Sequence, residues 1–309
     1  MAMYAESVLL GLDEGSLQGE GASGIMGRLL PFPEPDANKY TRGKLTLVAG
    51  CARYPGAAVL AARASQRMGA GYTEVICAPE SVATVRAASP SLVVAPWDGW
   101  RAESLPAYTE GKPAAVCVGP GFDASDPAAV DLAAQVLAAA ECPVVVDGGG
   151  LAVLAQPRAM RIMERRAQQG LPTVATPHGG EARRIAAAWG IGPDAGDAAD
   201  FALDLAGALG CTVLLKGPDT QIAYGDAALE MDFGGPELAK AGTGDVLAGI
   251  VGALLAQGLN DFDAAVLGAT VHALAGAYAA ERLTSICVTA EDVIETIPLA
   301  IAGLAGEPC

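Results

Sequence analysis

From residue 44 onward, short β-branched apolar runs alternate with longer Ala-rich stretches in which apolar residues recur at helical spacing. The runs at 45–49, 73–77, 115–118, 144–147, 173–176 and 212–216 are apolar almost throughout, as strands buried on both faces must be. Between them, residues 57–68 and 127–140 read as helices. Asp126 can cap the second, Pro127 suits its first position, and Val130, Ala133, Val136 or Leu137 and Ala140 give it one apolar face. Strand followed by helix, repeated, predicts an α/β fold: a three-layer αβα sandwich with a mostly parallel central sheet. Three further helices are expected at 245–257, 261–281 and 290–302. Residues 220–224 and 229–233 flank a Gly225-Asp226 turn and read as a β-hairpin.

No composition shift divides residues 39–309, which read as one domain. Residues 1–38 read as an extension with short helices and an extended Pro31, Pro33, Pro35 segment packed along the body. Residues 97–112 interrupt the alternation and read as a surface excursion. With 309 residues and 52% hydrophobic content the chain has ample material for a core, which excludes a disordered class. The net charge of −16 disfavours nucleic-acid and membrane partners, because a surface that negative repels both. A polyanionic ligand would have to be held locally, by backbone amides, a helix N-terminus or a metal ion. Cys51, Cys77, Cys117, Cys142, Cys211, Cys287 and Cys309 are odd in number and form no CxxC pair, which points to a reducing, cytoplasmic setting. The first residues lack a basic leader and carry Glu6, Asp13, Glu14 and Glu20, and no apolar run of membrane-spanning length is expected.

The most informative segment is Ala241-Gly242-Thr243-Gly244-Asp245, at the start of an apolar helix. Glycines there allow a tight turn with inward amides, and a helix N-terminus adds partial positive charge, so a phosphate or oxyanion fits. Asp245 in that first turn could accept a proton from a substrate hydroxyl. An ordinary Gly turn before an Asp-capped helix would have the same sequence. Thr176-Pro177-His178-Gly179-Gly180-Glu181 lies between a strand and a helix, where parallel sheets bind ligands. The second histidine, His272, lies among apolar neighbours and reads as core packing. Lys216-Gly217-Pro218-Asp219-Thr220 ends a strand with a Lys that could meet phosphate. Tyr54-Pro55-Gly56-Ala57 and Gly119-Pro120-Gly121 put small residues where a ligand could approach backbone closely. No metal-ligand set is legible.

In this order the motifs resemble the ADP/ATP-dependent NAD(P)H-hydrate dehydratases, a branch of the ribokinase-like superfamily, over residues 39–302. The resemblance implies a ribokinase-like catalytic domain at 39–309. It implies a hydrated nicotinamide cofactor (NADHX or NADPHX) as substrate, met by Ala57, Gly119, Gly121, His178 and Asp245. It implies ADP or ATP at Lys216, Gly217, Pro218, Asp219, Thr220, Gly242, Thr243 and Gly244, with Mg²⁺ and a homo-oligomeric assembly. Asp245 would be the catalytic base. The chain departs from the family pattern at Gly148-Gly149-Gly150 after Asp147, where a second carboxylate is usual, and at Gly179, Glu237, Lys240 and Ala241. A small-molecule kinase of the same fold, acting on a vitamin precursor or sugar, and a non-catalytic nucleotide binder are the alternatives.

Overall fold

The computed structural model describes residues 7–11, 20–192 and 197–306. Nine strands form one sheet: β1 (Lys44–Val48), β2 (Tyr72–Cys77), β3 (Val93–Pro96), β4 (Ala114–Val118), β5 (Val144–Val146), β6 (Thr173–Ala175), β7 (Thr212–Leu215), β8 (Thr220–Tyr224) and β9 (Ala227–Met231). Their spatial order is β3-β2-β1-β4-β5-β6-β7-β8-β9. Pairing is parallel as far as β7 and antiparallel beyond it.

Side chains on the strands alternate between two cores, as the two-residue period requires. Leu45, Leu47, Ala115, Cys117, Val145 and Leu214 enter one core with the helices α2 (Pro55–Arg67), α8 (Thr243–Ala256), α9 (Asp261–Leu283) and α10 (Ala290–Ala305). Val48, Val116, Val118, Val144, Val146 and Val213 enter the other, with α4 (Pro127–Ala139), α5 (Pro157–Gln168), α6 (Gly179–Trp189) and α7 (Ala198–Leu209). This is the expected αβα layering. Glycine permits close approach where helices cross: a Cβ on Gly249 of α8 would lie 2.2 Å from the Ala61 carbonyl oxygen of α2.

Several local expectations need correction. The hairpin's second strand begins at Ala227, because Gly225 (φ 56°) closes a two-residue turn and Tyr224 pairs with Ala227 directly. Residues 97–112 are more than an excursion. Trp97 and Trp100 pack against the second core, and Trp97 meets Phe122 edge-on at 5.5 Å between ring centroids. The preceding strand β3 and the helix α3 (Val82–Ala88) had no counterpart in the sequence reading. Helix α9 is, by length and composition alone, long and apolar enough to cross a membrane, yet most of it is buried inside the protein.

Of residues 1–38, the described part comprises a 3-10 turn at Leu9–Gly11, α1 (Glu20–Leu29) and the proline segment. The Asp263 carboxylate at the start of α9 accepts hydrogen bonds from Ser7 Oγ and from the amides of Val8 and Leu9. Pro31, Phe32 and Pro33 line a small cavity together with Arg42, Met68 and Ile301. Cys309 lies outside the described residues; Cys77, Cys117, Cys142 and Cys211 are buried and Cys287 is exposed.

Candidate active site

Three parallel strands end side by side and each delivers one polar residue at its carboxyl end. Asp147 follows β5, Thr176 follows β6 and Lys216 follows β7. Asp147 Oδ1 accepts from Thr176 Oγ1 at 2.6 Å and from Lys216 Nζ at 2.7 Å, and Asp147 is 2% exposed. The Lys216 amide donates to the Pro177 carbonyl at 2.8 Å, so the His178 and Lys216 segments run side by side. A Cβ on Gly244 would stand 3.5 Å from Lys216 Nζ, which puts the first turn of α8 against the ammonium.

That turn is built to leave amides unused. Gly242 takes φ 95°, and Thr243 Oγ1 binds back to the carbonyls of Leu238 and Lys240 at 2.7 and 2.8 Å. The Thr243 amide donates to Lys240 and that of Val246 to Gly242. The amides of Ala241, Gly242, Gly244 and Asp245 have no backbone partner, and no side chain caps the helix. Unpaired amides at the positive end of a helix attract an anion.

Asp245 shares this turn. Burial, then the neighbouring Asp147 charge, pushes its pKa up to about 7, against the pull of Lys216. A carboxylate poised there can take up or release a proton near neutrality. Lys216 stays charged: burial opposes its ammonium, but Asp147, Glu181 and Asp245 outweigh that and raise its pKa.

The strand order reverses between β1 and β4, and the loops after them are joined by the amides of Gly50 and Cys51, which donate to the carbonyls of Pro120 (2.8 Å) and Gly121 (3.0 Å). Gly119 (φ 110°) packs so closely that a Cβ would lie 2.1 Å from the Asp147 carbonyl oxygen. A Cβ on Gly121 would meet Ala57 Cβ at 2.7 Å, and one on Gly242 would meet Leu60 Cδ1 at 2.6 Å. These approaches, with the Asp147–Lys216 pair and helix α2 between them, connect Ala57, Gly119, Gly121, Gly242, Gly244, Asp245 and Lys216. Gly217, Pro218 and Asp219 form an exposed turn, and Thr220 opens β8. They adjoin the site through Lys216.

His178 caps α6. Its Nδ1 accepts from the amides of Gly180 (2.9 Å) and Glu181 (3.3 Å), while Glu181 Oε2 accepts from the His178 amide. With Nδ1 an acceptor, the neutral ring carries its proton on Nε2, and the ring is half-exposed. Two features escaped the sequence reading. Asp147 and Lys216 lie 69 positions apart, so their pairing has no local signal. Lys240, which departs from the family pattern, spends its ammonium on the carbonyls of Ile286 (2.6 Å) and Val288 (2.5 Å). Cavities of about 500 Å³ beside α4 and α5 and about 750 Å³ beside α2 border the amino ends of strands, away from Asp245.

The family model for NAD(P)H-hydrate dehydratase matches residues 45–299, which takes in every element of this site. The chain belongs to the NAD(P)H-hydrate dehydratase family. It is 34% identical over 279 residues to the ADP-dependent (S)-NAD(P)H-hydrate dehydratase of Xanthomonas campestris, covering 88% of this chain and 92% of that relative. It is also 34% identical to the bifunctional NAD(P)H-hydrate repair enzyme of Thermofilum pendens, but spans only 53% of that protein's length. Among solved structures it is similar to the ADP/ATP-dependent NAD(P)H-hydrate dehydratase of Bacillus subtilis co-crystallised with ATP and Mg²⁺. The TM-score is 0.75 at 25% identity, over 90% of this chain and 95% of that one. The ribokinase-like layering expected of a family member is the one observed.

Proposed function

We propose that the chain is an ADP- or ATP-dependent NAD(P)H-hydrate dehydratase that regenerates NAD(P)H from NADHX or NADPHX. The observation that carries this reading is Asp245, a half-buried carboxylate whose pKa is raised to about 7, beside unpaired helix amides and a charged Lys216. Asp245 takes the proton of the ring hydroxyl. The hydroxyl oxygen accepts the terminal phosphoryl group of the nucleotide as the P–O bond to the departing AMP or ADP breaks; phosphate then leaves with the C–O bonding pair, and the adjacent ring carbon loses a proton to form the C=C bond of NAD(P)H. The amides of Gly244 and Asp245 hold the transferring charge, and Lys216 is held beside them by Asp147. Ala57, Gly119, Gly121 and the Nε2–H of His178 bound the hydrate. Residues Lys216–Thr220, Gly242, Thr243 and Gly244 bound the nucleotide.

No group of three or more His, Cys, Asp or Glu among the described residues could hold a metal ion. A Mg²⁺ would therefore have to arrive with the nucleotide phosphates, and Asp147, beside Lys216, is the carboxylate that would meet it. Such an ion would neutralise phosphate charge on an otherwise acidic chain. Residues 39–309 act as the catalytic domain with 1–38 packed on it. The protein works in the cytoplasm as a homo-oligomer, without nucleic-acid or membrane partners.

Incubation with NADHX and ADP or ATP, followed by absorbance of NADH, tests the reading. Recovery of NADH that Asp245→Asn abolishes, with nucleotide affinity kept, is the expected result. Nucleotide hydrolysis or transfer to an alcohol without NADH recovery would favour the kinase alternative, and binding without turnover the non-catalytic one.

A further inference from the structure

We propose that the cavity beside α2 is a second ligand site, built to hold a phosphorylated small molecule by its phosphate. It lies at the amino ends of the strands, away from Asp245, and does not depend on the reaction proposed above.

The cavity, about 750 Å³, falls within the size of small-molecule sites, about 300–1,000 Å³. Acidic residues outnumber basic ones 35 to 19 along the chain, yet Lys39, Arg63 and Arg67 line this cavity and no Asp or Glu does. Arg63 and Arg67 stand four residues apart, on one face of α2. Both guanidiniums reach the same carboxylate, Glu295 of α10, through one nitrogen each, at 2.7 and 2.8 Å. Neither makes another hydrogen bond among the described residues, so most of the five donors on each stay free for a ligand.

Lys39 has no acidic partner among the described residues. Its Nζ stands over the rings of Tyr40 (5.0 Å) and Tyr72 (5.5 Å), which stack with 6.2 Å between centroids. The rings hold the ammonium in place without cancelling its charge. Three cations against one carboxylate leave two positive charges over, which matches the charge of about −2 on a phosphate monoester.

Neutral polar groups complete the wall. Gln66, between the two arginines, donates from Nε2 to Ser91 Oγ at 2.8 Å, and Ser89 Oγ donates to Gln66 Oε1 at 3.2 Å. The two serine hydroxyls lie 3.1 Å apart and can turn to donate to a ligand oxygen. Helix α2 ends beside the cavity, and free carbonyls there would repel an anion. Two of them are already taken: Gly69 O accepts from Arg42 and Met68 O from Gln257, both at 3.1 Å. Concave walls favour a small molecule over an acidic face of a second copy, which would need a broad matching surface.

Calorimetry of the full chain with inorganic pyrophosphate tests the site, on wild type, the pair Lys39→Gln with Arg67→Gln, Lys216→Met and Glu295→Gln. Pyrophosphate can also enter the Asp245 site, which Lys216→Met weakens. The expected result is a binding event that Lys216→Met keeps and that the pair loses or weakens at least about tenfold. Glu295→Gln frees both guanidiniums and removes a negative charge, so it should tighten that event about two- to fivefold; a purely structural ion pair would only lower the melting temperature. Equal isotherms for wild type and the pair overturn the proposal, as does an event that Lys216→Met alone abolishes. Should the pair fail to fold, Glu295→Gln decides: binding no tighter than wild type overturns it. A pair that instead breaks an oligomer in light scattering makes the patch an interface between copies and overturns the ligand site. None of these outcomes touches the proposed reaction, which NADH recovery tests separately.

Discussion

Replacing Asp245 with Asn should make the protein more stable while destroying its activity, with a gain that depends on pH. In the folded chain burial and Asp147 lift the Asp245 pKa from 3.8 to about 7. An acid whose pKa is higher in the native state holds its proton more tightly there than when unfolded. Below pH 3.8 both states are protonated and nothing is lost. Between pH 3.8 and about 7 the unfolded state ionises first, and native stability falls with rising pH; above about 7 the full cost is present. Roughly three pKa units at about 1.36 kcal/mol each give a ceiling of about 4 kcal/mol. Asn cannot ionise, so the variant escapes this cost. With an unfolding entropy of about 0.65 kcal/mol/K for a chain of this length, the ceiling corresponds to about 6 °C in Tm at pH 8. The margin should shrink steadily towards pH 4. Thermal melts or urea titrations of both proteins at pH 4, 6 and 8 measure it. A margin independent of pH, or a variant less stable than wild type at pH 8, would refute the claim that ionising this carboxylate strains the fold. The same pKa predicts that wild-type kcat/KM rises about tenfold per pH unit below about 7 and then levels off, because the base must be ionised.

Three other predictions follow from the geometry. Asp147→Ala leaves the Lys216 ammonium in the protein without its closest partner, which should cost about 3–5 kcal/mol by chemical denaturation; Asp147→Ala with Lys216→Met together should recover much of it. Gly249→Ala places a methyl 2.2 Å from a carbonyl oxygen and should destabilise by about 1–3 kcal/mol, whereas Gly207→Ala, in α7 with nothing within 4 Å, should stabilise by about 0.5–1 kcal/mol. His178→Ala should lose about 0.5–2 kcal/mol through the missing cap. His178→Asn should keep the cap and that stability while raising the KM for NADHX, and an unchanged KM would remove Nε2 from the substrate site.

How legible the site was depended on how local its signals are. Gly242-Thr243-Gly244-Asp245 is contiguous, and its turn follows from glycine's freedom at φ 95° and the apolar helix after it. Asp126 and Pro127 marked the start of α4, and the Asp126 carboxylate does accept from the Ala128 amide. Strand β3 was missed because it is four residues long, ends in proline and leaves Val93 exposed, so neither period nor propensity stands out. Residues 97–112 looked like surface because their two tryptophans are separated by charge and turn residues; only the fold brings Trp97 to Phe122.

The sequence by itself determined the alternation of strands and helices, the layering that follows from it and the family, because periodicity, capping and Gly turns act over a few residues. It also determined that a polyanion would need a local grip, from backbone amides, a helix N-terminus or a metal ion, since a chain with net charge −16 repels it at long range. The tertiary structure alone decided how the grip works. Only when β5, β6 and β7 end in register does Asp147 meet Thr176 and Lys216, and only then does Asp245 lose enough water to titrate near neutrality. Burial and charge act through space, and neither can be read from positions 69 and more residues apart until the chain has folded.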